Sequence, residues 1–280
     1  MLSSQQKRTQ QQIITELGVK PVISAEQELT ERIAFIKDYV RQSGAKSLVI
    51  GISGGIDSLV VGCMAQQAVE QLRAEQYDAQ FIALRLPYGV QADAQDAEDA
   101  IRHIQPDRFL HINIQAATDA IQHALKQAGQ NFSSPQQQDF VLGNVKARQR
   151  MVVCYAVAAA NAGLVLGSDQ AAEVLMGFFT KYGDGAADLM PLAGLTKQQV
   201  RDLAMQLDVP SHLVHKVPTA DLESLTPLRP DEVAFGLSYA DIDAFLTGQP
   251  VSPEAFDIIV RHYRQGAHKR QLPASPLKAF

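Results

Sequence analysis

The six residues Ser53-Gly54-Gly55-Ile56-Asp57-Ser58 follow an apolar run, Ser47-Leu48-Val49-Ile50-Gly51-Ile52, and lead into a helix-like segment from Leu59 to Leu72. A strand, a glycine turn and a helix in that order make a seat for an anion. The glycines allow positive φ and bring bare backbone N–H groups close to a ligand, while the helix N-terminus adds unpaired donors and a partial positive charge. A phosphate suits such a seat. The spacing is not G-x-x-x-x-G-K-[ST], and no lysine follows the glycines to balance the phosphate charge. Asp57 would repel the anion unless a divalent cation lay between them, and Mg²⁺ commonly bridges carboxylates to phosphate oxygens. The turn therefore implies a nucleotide with Mg²⁺. The same string could be a surface turn capped by Asp57 or Ser58, a reading that its place after an apolar strand disfavours.

Further apolar strand candidates at 80–86, 108–113 and 163–167 join that at 47–52, and helical patterns near 24–43, 57–74, 93–103, 115–128 and 141–161 separate them. This alternation predicts an α/β fold, a single domain with a parallel sheet and helices on both faces. In the first of these helices Leu29, Ile33, Ile36 and Val40 recur at helical spacing, with Ser24 and Gln27 as an expected capping box. Residues 1–20 read as a Gln-rich N-terminal extension. Ligands of such sheets bind beyond the carboxyl ends of the strands, where 53–55, 85–88 and 167–170 are expected to line one crevice. A helix is predicted from Thr196 to about Leu207, and two short ones near 239–246 and 253–264. Between them, Pro210, Pro218, Pro227 and Pro230 break regular structure, so 210–231 is expected to be a mobile lid loop or a plain connector. Residues 266–280 form a tail that carries His268-Lys269-Arg270.

The 280 residues suffice for one large core. A net charge of −5 offers no basic field for nucleic acid, and the apolar stretch Met151 to Ala160 is too short to span a bilayer. With no signal-peptide core, a cytoplasmic enzyme is expected, with no nucleic acid or membrane as partner. Cys63 and Cys154 lack metal-ligand spacing and read as small buried hydrophobes.

The glycine turn resembles the pyrophosphate loop of the N-type ATP pyrophosphatases. Five more strings extend the likeness: Arg85-Leu86-Pro87-Tyr88-Gly89, Gly143 to Arg148, Gly167 to Glu173, Gly177 to Gly185, and Pro218-Thr219-Ala220-Asp221-Leu222. In this order they resemble the ammonia-dependent NAD synthetases over roughly residues 13 to 272, most specifically in Phe178-Phe179-Thr180-Lys181-Tyr182-Gly183-Asp184-Gly185. The resemblance implies an adenine nucleotide alpha hydrolase-like, Rossmann-like fold and a homodimer with Mg²⁺ at the ATP site. It also implies a reaction in which nicotinic acid adenine dinucleotide (deamido-NAD), ATP and ammonia give NAD, AMP and pyrophosphate. It further implies ATP contacts from Gly51, Ile52, Ser53, Gly54, Gly55, Ile56, Asp57, Ser58, Arg85, Ser168, Lys197 and Thr219, and Mg²⁺ ligation by Asp57 and Glu173. Arg148, Lys181, Asp188, His268 and Lys269 match positions that bind deamido-NAD, partly across the dimer interface. Catalysis would rest on Asp57, Glu173, Lys197 and Thr219 through positioning and charge stabilisation, without a covalent nucleophile.

Taken singly, these residues have plainer readings. Glu173 could face solvent early in a helix, Arg148 and Lys181 could be surface cations, and Asp188 could cap a turn. Two departures from the family pattern stand out: Ile56 where relatives often carry Gln, and Ser168-Asp169-Gln170 where Thr-Asp-His is usual. The first keeps no amide, and the second keeps the hydroxyl but removes a titratable imidazole. The segment before the first strand, residues 1–46, is too short for a glutaminase domain and has no Cys, so free ammonia is the expected donor. Two alternatives use the same loop: another adenylylating enzyme such as a tRNA-modifying ligase, or a nucleotide-binding sensor without catalysis. The first would want a basic surface and, for sulfur transfer, a reactive Cys. The second could discard Asp57, Glu173 and Lys181, all of which are present.

Overall fold

The computed structural model describes residues 2–276 apart from Ala92 and Asp221; the end of the tail, 277–280, and Asp221 of the fifth string lie outside the described residues. Strands β1 (Ser47–Gly51), β2 (Gln80–Arg85), β3 (Arg108–His111) and β4 (Gly163–Val165) form one parallel sheet in the order β3-β2-β1-β4. Val49 stands opposite both Ile82 and Val165. Strand order reverses at β1, whose neighbours are β2 and the much later β4. The two crossovers leave in opposite directions there, and a cleft opens above the strand's carboxyl end.

Period-two alternation sorts the strand residues between two apolar layers. Leu48, Ile50, Phe81 and Ala83 face α2 (Ala25–Ser43), α3 (Ile56–Ala74) and α8 (Lys197–Gln206), packing with Ile36, Met64 and Leu203. Val49, Ile82 and Leu84 face the other way, toward Cys154 and Ala158 of α6 (Pro135–Ala160), which α5 (Gln115–Gln127) flanks. Helices thus cover both faces, as the alternation predicted. The short helix α4 (Ala94–Ile104) lies against α3.

A third apolar cluster sits beyond β4. It joins α1 (Ser4–Leu17), α7 (Ala171–Met176), α10 (Asp231–Phe235), α11 (Tyr239–Leu246) and α12 (Pro253–Gln265) through Ile13, Ile14, Leu175, Phe235, Phe245 and Ile259. Two single-turn helices, α9 (Ser211–Val214) and α13 (Ala267–Arg270), complete the set described. The N-terminal extension is therefore built into the core. Its helix starts at a capping box between Ser3 and Gln6, and buried Gln10 donates to Phe245 O at 2.9 Å.

Two local expectations need correction. Ser24 does cap α2 by accepting from Gln27 N, but the Gln27 side chain reaches Glu31, so only half of a capping box forms. Helix α6 begins at Pro135 rather than 141, because Ser134 caps it and proline is well suited to the first turn. Among the described residues no helix is long and apolar enough to cross a membrane.

Candidate functional site

The glycine turn leaves β1 at Ile52, whose N–H still donates to Leu84 O of β2 at 2.7 Å. Gly54 takes φ +87°, and a Cβ there would stand 2.8 Å from the Ala97 backbone nitrogen of α4, so glycine is required on both counts. Ser53 and Ser58 then lock the turn onto α3. Ser58 Oγ accepts from Ser53 N at 3.3 Å and donates to Gly55 O at 3.1 Å, while Ser53 Oγ accepts from Gly55 N at 3.2 Å. Helix α3 has Gly55 at its N-cap and no side-chain cap, which leaves first-turn N–H groups for a ligand.

Above the turn lies a crevice. Its floor and walls include Gly51, Ile52, Ser53, Gly55, Ile56, Asp57 and Ser58, with Leu86 after β2 and Gly167 and Ser168 after β4. The three strand-end loops thus meet as expected. Glu173, Lys197, Thr219 and Lys269 also line this crevice.

The charges at its centre are concentrated around one lysine. Lys197 is the first residue of α8, where Asp243 accepts from the N–H groups of Lys197 (3.1 Å) and Gln198 (2.8 Å). Its side chain is only 2 % exposed and donates to Asp57 Oδ2 at 2.6 Å, with the Tyr239 ring centroid 5.2 Å from Nζ. Burial works to lower the Lys197 pKa, but Asp57 and Glu173 outweigh it and leave the pKa raised, so the ammonium stays charged. Burial, reinforced by Asp57, holds the Glu173 carboxyl well above the usual carboxylate range against the pull of Lys197. The second oxygen of Asp57 is buried without a hydrogen-bond partner. An orphaned carboxylate oxygen beside a second buried carboxyl suits a hard divalent cation, whose charge would offset the repulsion between the two. Two carboxylates are what Mg²⁺ commonly takes from a protein when phosphates complete its shell.

Two more carboxylates lie deeper toward α6. Burial, then Asp184 and Asp57, raise the Asp169 pKa well above normal; burial also raises that of Asp184, against the Thr180 N–H that donates to it at 2.9 Å. Lys269 donates to Gly177 O and Phe179 O, both at 2.8 Å, beside Asp184.

The segment expected to be a lid lines another side of the crevice with Lys216, Val217, Pro218 and Thr219. Lys216 donates to Gly54 O (3.3 Å), Asp93 (2.7 Å) and Asp96 (2.8 Å), tying the lid to the turn and to the start of α4. Farther along, Lys146 of α6 donates to Leu222 O (2.7 Å) and Ser224 Oγ (2.8 Å), and Asp139 accepts from Ser224 N and Leu225 N. Thr219 and Pro230 form an antiparallel bridge at its base. The segment from Pro210 is thus more ordered than a plain connector.

Other expected site residues stand elsewhere. Arg85 is buried on the α4 side, donating to Glu98 at 3.0 Å, and the next residue, Leu86, is the one that turns into the crevice. Arg148 donates to Lys181 O, and both lie outside the crevice lining, on the exposed side of α6 near Tyr182. The Asp188 carboxylate accepts from Val165 N at 2.7 Å and so finishes the edge of β4. His268 is exposed on α13. Gln170, in place of the usual His, is fully buried and caps α7 by accepting from Ala172 N at 2.7 Å. Burial pushes the Cys154 thiol up to about 11 and the Cys63 thiol up to about 12, which suits neither to nucleophilic attack.

Sequence reasoning passed over Lys216, Asp169, Asp184 and Asp231. Asp169 and Asp184 sat inside strings already quoted, and Lys216 two residues before Pro218-Thr219. Asp231 carried no signal beyond its place after a proline.

Comparison with known proteins agrees with this geometry. The family model described as NAD synthase matches residues 28–273. The chain is 50% identical over 273 residues to the NH(3)-dependent NAD(+) synthetase of Burkholderia cenocepacia (strain HI2424), covering 98% of this chain and 97% of the relative. It is 52% identical to that of Streptomyces coelicolor, over 95% and 97%. The crystal structure of NAD+ synthetase from Burkholderia pseudomallei superposes with a TM-score of 0.83 at 49% identity, covering 96% of this chain and 98% of that one. The NMN synthetase of Francisella tularensis gives 0.80 at 33% identity, over 92% and 100%.

Proposed function

The chain belongs to the NAD synthase family, and from that premise we propose how its crevice carries out the ATP-dependent amidation of deamido-NAD by ammonia. The products are NAD, AMP and pyrophosphate. A carboxylate is a poor acyl donor because oxide would have to leave, so the nicotinate oxygen first attacks the α-phosphorus of ATP. The bond from that phosphorus to the bridging oxygen breaks, pyrophosphate departs, and an acyl-adenylate remains. Ammonia then adds to the carbonyl carbon and AMP leaves.

The observation that carries this reading is the Lys197–Asp57 pair set against the uncapped N-terminus of α3. It places a fixed ammonium and backbone donors around one anion seat, and such preorganised charge supplies most of the stabilisation in phosphoryl chemistry. Residues 51–58 hold the pyrophosphate part of ATP, with Ser168 and Thr219 as further contacts. Asp57 and Glu173 hold Mg²⁺, which when bound offsets the negative charge gathered between triphosphate and nicotinate. Asp184, which lines the crevice and whose carboxyl burial raises above its ordinary pKa, takes the proton that ammonium must lose. The lid keeps water from the anhydride.

Deamido-NAD would reach outward past Lys269 toward Arg148 and Lys181. The exposed apolar side chains Phe140, Val152 and Tyr182 beside them support a homodimer that covers this face. Two free, buried cysteines accord with a cytoplasmic enzyme. Nicotinic acid mononucleotide is the control substrate, because the lesser likeness to an NMN synthetase makes it the nearest competitor.

With ATP, Mg²⁺ and ammonium, the protein is expected to release one pyrophosphate per NAD formed, and only when deamido-NAD is present. Replacing ammonium by ammonia-free glutamine should stop amide formation. Faster turnover of the mononucleotide, or pyrophosphate release that ignores deamido-NAD, would overturn the assignment.

A further inference from the structure

One carboxylate in the crevice has no part in the reaction as described. Asp231, the first residue of α10, is 5 % exposed. Its N–H donates to Pro218 O at 3.0 Å, next to the bridge between Thr219 and Pro230, so it stands where the lid rejoins the body of the protein. Its Oδ2 accepts from the Tyr239 hydroxyl at 3.0 Å, while Oδ1 is buried without a hydrogen-bond partner. Tyr239 is the same residue whose ring lies 5.2 Å from Lys197 Nζ. The lysine is therefore flanked by Asp57 on the turn and by the Asp231–Tyr239 pair at the foot of the lid, with Glu173 the third carboxylate acting on it.

A lysine this buried stays charged only while anionic partners offset its lost hydration. If Asp57 and Glu173 hold Mg²⁺, as in the function proposed above, their charge is shared with the ion and offsets less of that on Lys197. Asp231 is then the one of these three carboxylates that remains for the ammonium. Tyr239 fixes one Asp231 oxygen, and the other is buried with no hydrogen bond to hold it elsewhere.

We propose that Asp231 is a positioning residue that holds the Lys197 ammonium toward the ATP phosphates once Asp57 is engaged, so that seating the lid and aligning Lys197 are one event. The proposal rests on the functional reading above, but its test does not depend on turnover. Its prediction is that Asp231 acts through Lys197 and not on the lid fold alone.

The test is a double-mutant cycle on Mg²⁺·ATP binding by the full chain, read by titration calorimetry, with Asp231→Asn, Lys197→Met and the double variant. Tyr239→Phe and thermal melting serve as controls. Asp231→Asn keeps the size and an acceptor for Tyr239, so its melting temperature should stay near that of the parent while ATP binding weakens about tenfold, a coupling of the usual size for groups that share one network. In the Lys197→Met background the same substitution should cost less than about twofold. Tyr239→Phe, which keeps the charge, should weaken binding less than Asp231→Asn does. Unchanged ATP binding in Asp231→Asn, or an equal loss with and without Lys197, would overturn the proposal, as would a loss matched by a collapse in melting temperature. A parent protein that binds ATP but fails to amidate deamido-NAD would instead refute the function, and the cycle would still decide the role of Asp231.

Discussion

The glycine turn and the lid face each other across one crevice, yet they are held by different kinds of contact. Within the turn, three residues brace one another at separations of five or fewer: Ser53 with Ser58, Gly55 with Ser53, Ser58 with Gly55. The lid depends on residues far away in the chain, with Leu222 held by a lysine 76 positions before it and Lys216 held by Asp93 at a distance of 123. Leu213 and Val214 of α9 anchor the start of the segment in the core, but farther along it Val217 and Leu225 are exposed. A segment with few buried apolar contacts opens at low free energy, whereas a turn fused to a core strand and helix opens only with the fold. We propose that the turn is the rigid seat and residues 216–229 a cover that lifts, so that damage to each should show differently in the kinetics.

The largest effect is expected on the seat. Asp57→Asn keeps the size but removes the charge that would hold Mg²⁺ and that pairs with Lys197, so adenylylation should fall by ~10²-fold or more. Pyrophosphate release titrated against Mg²⁺ checks this, and near-normal activity with unchanged Mg²⁺ dependence would show the carboxylate to be structural. A smaller and different defect is expected from Lys216→Met. It cuts the lid from the turn and from Asp93 and Asp96, so turnover should drop roughly tenfold and pyrophosphate should be released in excess of NAD as water reaches the anhydride. Limited proteolysis should find residues 216–229 more exposed in that variant, and in the parent more exposed alone than with ATP, Mg²⁺ and deamido-NAD. Equal cleavage in all states would erase the distinction between seat and cover.

The smallest effect concerns pH. Burial works to lower the Lys216 pKa, but the hydrogen bonds that it donates to Asp93 and Asp96 leave it raised. A raised pKa in the folded state means the latch contributes fully below the ordinary lysine value of about 10.4 and is lost only as pH climbs through the folded one. Protease protection of the lid should therefore stay flat from about pH 6 to 9 and fall only in strongly alkaline buffer. A fall near neutrality would point to another group as the latch.

What the sequence made legible follows the same division. The turn was readable because its parts are consecutive, and α2 because Leu29, Ile33, Ile36 and Val40 form a stripe that is buried in full. Helix α1 was not, since its buried face amounts to Gln10, Ile13 and Ile14 in a Gln-rich stretch. Arg85 was expected at the ATP site from the family resemblance, and at the crevice from its place at a strand end. Alternation turns it toward α4 and gives the crevice to Leu86 instead. Asp188 matched a ligand-binding position, and in the fold its carboxylate completes the sheet edge. Lys216, Asp184 and Asp231 join the site only through long-range packing, which no local pattern announces. The glycine turn, the Asp57–Lys197 pair and Glu173 came together in one crevice because the first lies after β1 and the others start helices that point at the same strand end.

Gly54 has one more consequence. Its α-carbon lies against the backbone of Ala97 with no room for a methyl group. Ala97 belongs to α4, and the start of that helix carries Asp96, one of the two anchors of Lys216. The spacing between phosphate seat and lid anchor is therefore a gauge block one hydrogen atom thick. A single added carbon at Gly54 would be transmitted in two directions, tilting the turn off the axis of β1 and carrying the lid's mooring away from it. The contact that sets this spacing is backbone against backbone, which leaves no flexible side chain to absorb the change.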